Sequence, residues 1–137
     1  MKMGFVSAIL DGWTFEEMIT VASDMGFSCV EVACWPQGQG ERRYAGVSHI
    51  DTVRVLSDED YANYIKKFCQ DKGITISSLA FYPNTMSHIP EKRSDAITHL
   101  EKVIQASQKL GVNMVTTFIG RDQTKTVEEN LQLAAEI

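Results

Sequence analysis

The chain has 137 residues, 44% of them hydrophobic, which fits one globular domain with a real core. Its formal net charge of −5 argues against a nucleic-acid-binding surface, and no apolar run approaches the roughly 20 residues needed to cross a membrane. The start of the chain turns polar too quickly for a signal peptide. The three cysteines are odd in number and lack CxxC spacing, so we expect them to be reduced and the protein to be cytoplasmic.

The first predicted elements are a strand over residues 2–8 and a helix that begins after Thr14. Thr14 and Glu17 have the spacing of a capping box, in which each residue satisfies a backbone N–H of the other. Gly26 ends this helix. Its inward face is predicted to carry Met18, Val21, Ala22 and Met25.

A second strand is predicted over residues 28–34, followed by a long loop over 35–56. Loops of this length in compact domains are often lids or binding loops. This loop contains Arg42, Arg43 and His49. The next helix is predicted to begin within residues 57–60 and to end at Gly73.

The third strand is predicted over residues 74–81, and its loop leads to Pro90 at the first position of a helix that ends at Leu110. The buried stripe of this helix is predicted to be Ile97, Leu100, Val103, Ile104 and Ser107. The fourth strand lies in the stretch 111–121, whose β-branched residues favour a strand covered on both faces. Thr126 and Glu129 repeat the capping box and open a fourth helix.

One pattern recurs along the chain: an amphipathic helix, a glycine, an apolar strand and a loop. The glycines of its three copies are Gly26, Gly73 and Gly111. Alternating helices and strands predict a parallel sheet. Four βα units form either an open doubly wound sheet or half of an eightfold barrel, and the lack of a glycine cap after the last helix favours the barrel. We therefore predict an α/β fold: four parallel βα units, the N-terminal half of a TIM (β/α)8 barrel, as one truncated domain over 1–137.

Three motifs carry a resemblance to a known family. Gly26-Phe27 leads into Val30-Glu31-Val32, Ser77-Ser78-Leu79 leads into Tyr82-Pro83-Asn84, and Leu110-Gly111-Val112 leads into Thr116-Thr117-Phe118-Ile119-Gly120-Arg121. Thr126-Val127-Glu128-Glu129-Asn130 follows them. Over its whole length the chain resembles the N-terminal half of the sugar phosphate isomerase/epimerase family, whose members have the xylose isomerase-like TIM barrel.

The resemblance implies a metal-dependent enzyme that interconverts aldoses and ketoses or epimerises ketoses. In full-length relatives the divalent metal (Mn, Mg, Zn or Co) is held by two glutamates, an aspartate and a histidine from strands after the fourth. No position of this chain receives those roles, so we expect the isolated chain to bind no metal and to be inactive, and its catalytic residues stay unassigned. The expected partners are a sugar or sugar phosphate and either a second copy or the missing C-terminal half, with no nucleic acid and no membrane.

Candidate binding residues stand where the strands end, because ligands of parallel barrels meet the loops after the strands. Arg121 follows the fourth strand, where its planar guanidinium suits a phosphate or carboxylate, unless it pairs with Asp122. Glu31 lies among apolar neighbours in the second strand. A carboxylate placed there needs partners, so it either contacts substrate or makes a structural hydrogen bond.

Aromatic, amide and imidazole side chains complete the candidate set. Trp35, Phe81 and Tyr82 end the second and third strands and form either a wall for a sugar ring or ordinary core. Asn84 either binds a hydroxyl group or caps the turn after Pro83. His88 lies in the loop after the third strand. Neither His88 nor His49 has a second ligand at metal spacing, and His99 is expected to be an exposed helix residue.

Two other classes of function stay open at this point. A half-barrel exposes two strand edges and an apolar interior, so the chain is alternatively a non-catalytic module that self-associates. The related abasic-site endonuclease branch is weaker, because the chain is acidic and lacks clustered histidines. Nucleotide cofactors have no support, since no GxGxxG or Walker loop is present.

Overall fold

The computed structural model describes residues 2–37 and 46–136. Strands and helices alternate along them, and a 3-10 turn over Ser7–Ile9 follows the first strand. The elements are β1 (Gly4–Val6), α1 (Phe15–Asp24), β2 (Cys29–Ala33), α2 (Thr52–Ser57), α3 (Glu59–Lys72), β3 (Thr75–Ala80), α4 (Pro90–Leu110), β4 (Val115–Thr116) and α5 (Val127–Ala134).

The strands form one parallel sheet in the order β1-β2-β3-β4. Each strand pairs with the next in sequence, as expected when helices make the crossovers between parallel neighbours. The predicted α/β fold of four parallel βα units is therefore confirmed. The carboxyl ends of all four strands lie at one end of this sheet, which we call the mouth.

The predicted helix boundaries follow from local chemistry. Thr14 and Glu17 form both hydrogen bonds of a capping box at the start of α1, and Thr126 and Glu129 do the same for α5. Gly73 (φ 68°) and Gly111 (φ 72°) end α3 and α4 in the left-handed conformation. An L-residue rarely adopts this conformation, so both positions favour glycine.

The core lies between the sheet and the helices. Most of its completely buried side chains come from α1, β2, α2, α3, β3 and α4 and from the segment before α2. They include Met18, Ile19, Val30, Val32, Ile50, Ile65, Leu79 and Val103. The three cysteines are free, as predicted, and two of them, Cys34 and Cys69, are buried.

The loop predicted over 35–56 is interrupted by helix α2. The Asp51 side chain accepts a hydrogen bond from the backbone N–H of Arg54 at 3.1 Å and so caps this helix, while Val55 is completely buried. A helix of six residues with two buried side chains, Thr52 and Val55, is too short to show the periodicity of a longer one. Arg42 and Arg43 lie outside the described residues.

Three strand and helix predictions need correction. β1 is only three residues long, because the chain enters the 3-10 turn at Ser7. β4 pairs with β3 at only two positions, Val115 and Thr116. Met114 before it is 60% exposed and Phe118 after it is 61% exposed, so the stretch 111–121 is not a strand covered on both faces. On α4, Ile104 is 52% exposed, because the helix packs largely through small side chains that allow close approach, including Ala96, Ala106 and Ser107.

No helix within residues 2–37 and 46–136 is both long and apolar enough to span a lipid bilayer.

Candidate functional site

Glu31 is the centre of a hydrogen-bond network near the mouth. Its Oε2 accepts hydrogen bonds from Ser78 Oγ at 2.9 Å and from Thr116 Oγ1 at 2.8 Å. Its Oε1 accepts a hydrogen bond from the Tyr82 hydroxyl. Ser78 lies on β3, Tyr82 lies in the loop after β3, and Thr116 lies on β4. One carboxylate on β2 therefore joins three neighbouring parts of the fold.

A register shift in the sheet brings Ser78 opposite Glu31. Val30 pairs with Ile76, but Glu31 pairs with Ser78, so Ser77 has no partner in the ladder. Such bulges change the direction of side chains near a strand end. Here the shift places a buried hydroxyl beside the carboxylate, whereas Ser77 is exposed.

Tyr82 is a hydrogen-bond donor at neutral pH. Burial raises the pKa of its hydroxyl to about 12, and the hydrogen bond to Glu31 and the charge of that carboxylate act in the same direction. The phenol therefore stays protonated. A carboxylate accepts about four hydrogen bonds, so the three hydroxyl donors leave about one acceptor position, on Oε1.

Ser78 and Thr116 were not among the residues predicted for the site. The sequence nevertheless contained a signal, because Glu31, Ser78 and Thr116 each stand five residues after the glycine that follows a helix. Equal spacing in parallel units brings side chains to similar depth in the sheet. Recognising this register required aligning the three copies of the repeat on their glycines.

Of the three aromatic candidates, Tyr82 lies beside an accessible ring that was not predicted for the site, Phe118, whereas Trp35 and Phe81 pack together. The Tyr82 ring lies 4.7 Å, centroid to centroid, from that of Phe118, which is 61% exposed. Trp35 packs edge-on against Phe81 at 4.9 Å. Phe81 is 3% exposed, so it supports the mouth from the core, and Trp35 is half-buried between two apolar clusters.

The expectation that His99 is exposed is wrong. Its Nε2 lies 2.8 Å from the Cys34 carbonyl oxygen, and its ring packs against Phe81 at 4.6 Å. Burial lowers the pKa of His99. This side chain therefore ties α4 to the end of β2, a role that helical periodicity alone does not reveal.

His49 is buried on the β1 side of the fold. Its Nε2 lies 3.2 Å from the Leu10 carbonyl oxygen, which accepts the ring N–H, and its Nδ1 lies 3.0 Å from Ser7 Oγ. Ser7 Oγ accepts the N–H of Ala33 at 2.8 Å and is left to donate its hydroxyl proton to Nδ1. Burial lowers the pKa of His49, which fits this neutral tautomer. The network joins the segment before α2 to the turn after β1.

Asn84 contacts the loop after β4 and does more than cap its own turn. Its Nδ2 donates to the Arg121 carbonyl oxygen at 2.9 Å, and its Oδ1 accepts the N–H groups of Arg121 at 3.0 Å and Met86 at 3.1 Å. The backbone of Arg121 is thus fixed. No ion pair involves the exposed Arg121 guanidinium within the described residues.

The anticipated alternative, an ion pair between Arg121 and Asp122, does not form. Asp122 Oδ1 accepts from the Thr124 N–H at 2.9 Å and hydroxyl at 2.6 Å, which lowers the pKa of Asp122. The positive charge of Lys125 acts in the same direction but more weakly. His88 is exposed in the loop after β3.

The described residues do not form a metal site by themselves. Within 2–37 and 46–136, no three side chains of His, Cys, Asp or Glu come together in a way that could hold a metal ion. Glu31 is surrounded by hydroxyl groups instead. The metal dependence implied by the resemblance stays a prediction.

The arrangement of parallel strands and helices agrees with comparison to known proteins. The profile of a family described as xylose isomerase-like TIM barrel matches residues 19–137. The chain belongs to this family. Among curated proteins, no sequence matches the chain.

Two solved structures show the same fold. One is the probable 3-DHS dehydratase AsbF from Bacillus anthracis, involved in petrobactin synthesis, with 14% identity and a TM-score of 0.66. The other is a D-psicose 3-epimerase in the presence of D-fructose, with 17% identity and a TM-score of 0.64. In both cases 99% of this chain covers 45% of the other chain. This member of the xylose isomerase-like family therefore spans less than half the length of either structure.

Proposed function

We propose that this chain is the N-terminal part of an isomerase or epimerase that acts on a sugar or sugar phosphate. The observation that carries the proposal is the convergence of three hydroxyl groups on Glu31 near the mouth. A sugar offers several hydroxyl groups that both donate and accept hydrogen bonds. Such a ligand can donate a hydrogen bond to the remaining acceptor position of the Glu31 carboxylate. The hydroxyl oxygens of the three donors beside it can still accept hydrogen bonds from the ligand.

The chain's own contribution is to bind and orient. Glu31 Oε1 accepts a hydrogen bond from a sugar hydroxyl group, while the hydroxyl groups of Ser78 and Thr116 hold Oε2 in place. The raised pKa of Tyr82 keeps its proton on the phenol, so it orients the carboxylate and takes no proton from carbon. The Phe118 ring, which is 61% exposed beside Tyr82, gives an apolar surface for the C–H face of a sugar.

Two further points support a sugar ligand. The family's fold places ligands at the carboxyl ends of the strands, which is where this network stands. One structural neighbour is a D-psicose 3-epimerase studied with D-fructose. Its likeness to this chain, at 17% identity, concerns the fold alone, so the proposed substrate class depends on the Glu31 network.

An NMR titration of the chain with D-fructose and D-psicose tests the proposal. Residues 31, 78, 82, 116 and 118 are expected to show the largest shifts. Tetrahydropyran, a water-soluble ring ether that lacks hydroxyl groups, serves as a control for non-specific apolar contact. Shifts confined to other surfaces, or none at saturating ketose, would contradict the proposal. A parallel assay with and without Mn²⁺ is expected to show no turnover by the isolated chain.

The alternative function, a non-catalytic half-barrel that self-associates, is supported by the unpaired edges of the sheet. β1 and β4 each pair with only one neighbour among the described strands. Exposed apolar side chains occur at the end of β1, where Val6 is 40% exposed, and directly before β4, where Met114 is 60% exposed. Val127 (69%) and Leu131 (67%) are exposed on α5, the helix that follows β4. Unpaired strand edges with apolar neighbours favour association.

A further inference from the structure

We propose that Asn84 is a positioning residue for Arg121, and that the guanidinium it presents receives the phosphate group of a phosphorylated sugar. This inference rests on the proposed function and narrows its substrate class. Two loops contact each other here: residues 81–89 after β3 and residues 117–126 after β4.

The Asn84 side chain takes the place of a strand partner for Arg121. The regular pairing of β3 with β4 ends at Ala80 and Thr116, with one more backbone bond from the Phe81 N–H to the Thr116 oxygen at 3.0 Å. Beyond it, the Asn84 amide exchanges two hydrogen bonds with the N–H and C=O of Arg121, at 3.0 and 2.9 Å. A side-chain amide has the same donor and acceptor as a peptide group and so extends the ladder.

The absence of a side chain at Gly120 allows the Asn84 amide to approach the backbone closely. Its φ of +78° is one that L-residues rarely adopt. A Cβ at this position would lie 2.1 Å from Asn84 Oδ1 and 2.9 Å from Asn84 Cα. The backbone approach is therefore possible only without a side chain at 120. Thr85 adds a hydrogen bond from its hydroxyl to the Ile119 oxygen at 2.8 Å.

The two hydrogen bonds between the Asn84 side chain and the Arg121 backbone, which we call the Asn84 clamp, fix that backbone and leave the guanidinium group free to bind a ligand. Asp122, the neighbouring acid, is engaged by the N–H and hydroxyl of Thr124 instead. Arg121 follows β4 at the mouth, the same end at which Tyr82 reaches Glu31. A guanidinium on a fixed backbone loses less freedom when it binds, and its planar donors match a phosphate. Glu31 would then take the sugar and Arg121 its phosphate.

The test compares affinities for D-fructose and for its 1- and 6-phosphates, measured by calorimetry. The wild-type chain is expected to bind the better phosphate about tenfold more tightly than the free sugar. Asn84→Ala and Arg121→Ala should each remove this preference, and the double variant should lose no more than either single one. Gly120→Ala should act like Asn84→Ala. Ser23→Ala is the matched control, since its hydroxyl bonds the Lys72 oxygen at 2.8 Å between α1 and α3.

Amide hydrogen exchange separates this inference from the proposed function. In Asn84→Ala, the amides of residues 119–121 should exchange faster, while those of β2 and α1 keep their wild-type rates. Unchanged exchange at these amides, equal affinity of the wild type for sugar and phosphate, or a phosphate preference that survives in Asn84→Ala would each overturn the inference. If the chain binds no sugar at all, the proposed function fails, and the exchange rates alone decide whether Asn84 holds the loop.

Discussion

Glu31 shows how a carboxylate is accommodated in a sheet of mostly apolar residues. A buried acid without partners is costly, whereas one that accepts hydrogen bonds from several donors is stabilised. Here the donors are neutral hydroxyl groups, so the carboxylate needs no cation. Neutral donors also leave the site free of a competing positive charge when an uncharged ligand binds.

The Tyr82 hydroxyl is expected to contribute measurably to stability. Tyr82→Phe removes one of three donors to Glu31 and should lower the free energy of unfolding by about 1–2 kcal/mol. Tyr64→Phe is the matched control, because its hydroxyl also donates to a glutamate, Glu16, at 2.9 Å, but at an exposed position. Its effect should stay within about 0.5 kcal/mol. Urea denaturation measures both; equal losses would argue against the Glu31 network as a stabilising unit.

His49 gives the fold a dependence on pH. Its pKa is lowered in the folded state by burial, so the unfolded chain binds the proton more readily. Stability should be complete above the unfolded value of about 6.5 and should fall as the pH drops below it. His99, whose pKa is also lowered, contributes in the same direction.

A variant of His49 separates its effect on the pH dependence of stability from the effects of other titrating groups. His49→Asn is expected to reduce the slope of unfolding free energy against pH just below about pH 6.5, where one proton contributes at most about 1.4 kcal/mol per pH unit. The exposed His88→Asn should keep the wild-type slope. A slope that is identical in His49→Asn and the wild type would show that His49 is not the titrating group.

At the scale of elements, glycines and caps were the parts of the fold that local chemistry determines. The capping boxes at Thr14 and Thr126 and the glycine ends of α3 and α4 were predicted because each depends on a few adjacent residues. Contacts between distant segments determine the length of β4, the burial of His99 and which face of α4 is buried. The Asn84 clamp also depends on such a contact, since it joins residues 37 positions apart.

The two capping boxes are expected to differ in their effect on the whole fold. α1 buries Phe15, Met18, Ile19 and Ala22, whereas none of the described residues of α5 is buried. Thr14→Ala should therefore lower global stability by about 1 kcal/mol, while Thr126→Ala should mainly speed amide exchange within α5. Urea midpoints and hydrogen exchange distinguish the two. Equal shifts of the global midpoint would mean that α5 is as firmly packed as α1.

At the scale of the whole molecule, the sheet has two unpaired edges among its described strands. The four βα units were predictable because the helix–glycine–strand pattern repeats. The Glu31 network was not predictable, since it joins residues 85 positions apart and depends on the register shift between Val30 and Glu31. Family membership supplies the barrel architecture, while the chain matches 45% of the length of its structural neighbours.

Self-association through the exposed apolar side chains of α5, the helix that follows β4, is testable with matched surface changes. If these side chains take part in self-association, Val127→Asp with Leu131→Asp should lower the weight-average mass in sedimentation velocity, because both are exposed. Val53→Asp, at a similarly exposed position on α2, should leave it unchanged. A wild-type chain that stays monomeric at all concentrations would rule out the self-association function.

The affinity of Glu31→Gln for D-fructose tests most directly whether Glu31 contacts a sugar at the mouth. Calorimetry is expected to find binding about tenfold weaker than in the wild type, because a hydrogen bond to a charged group contributes about 1.5 kcal/mol. Glu101→Gln, an exposed glutamate on α4, should bind like the wild type. Wild-type affinity in a folded Glu31→Gln would contradict the account and leave Glu31 with a structural role only.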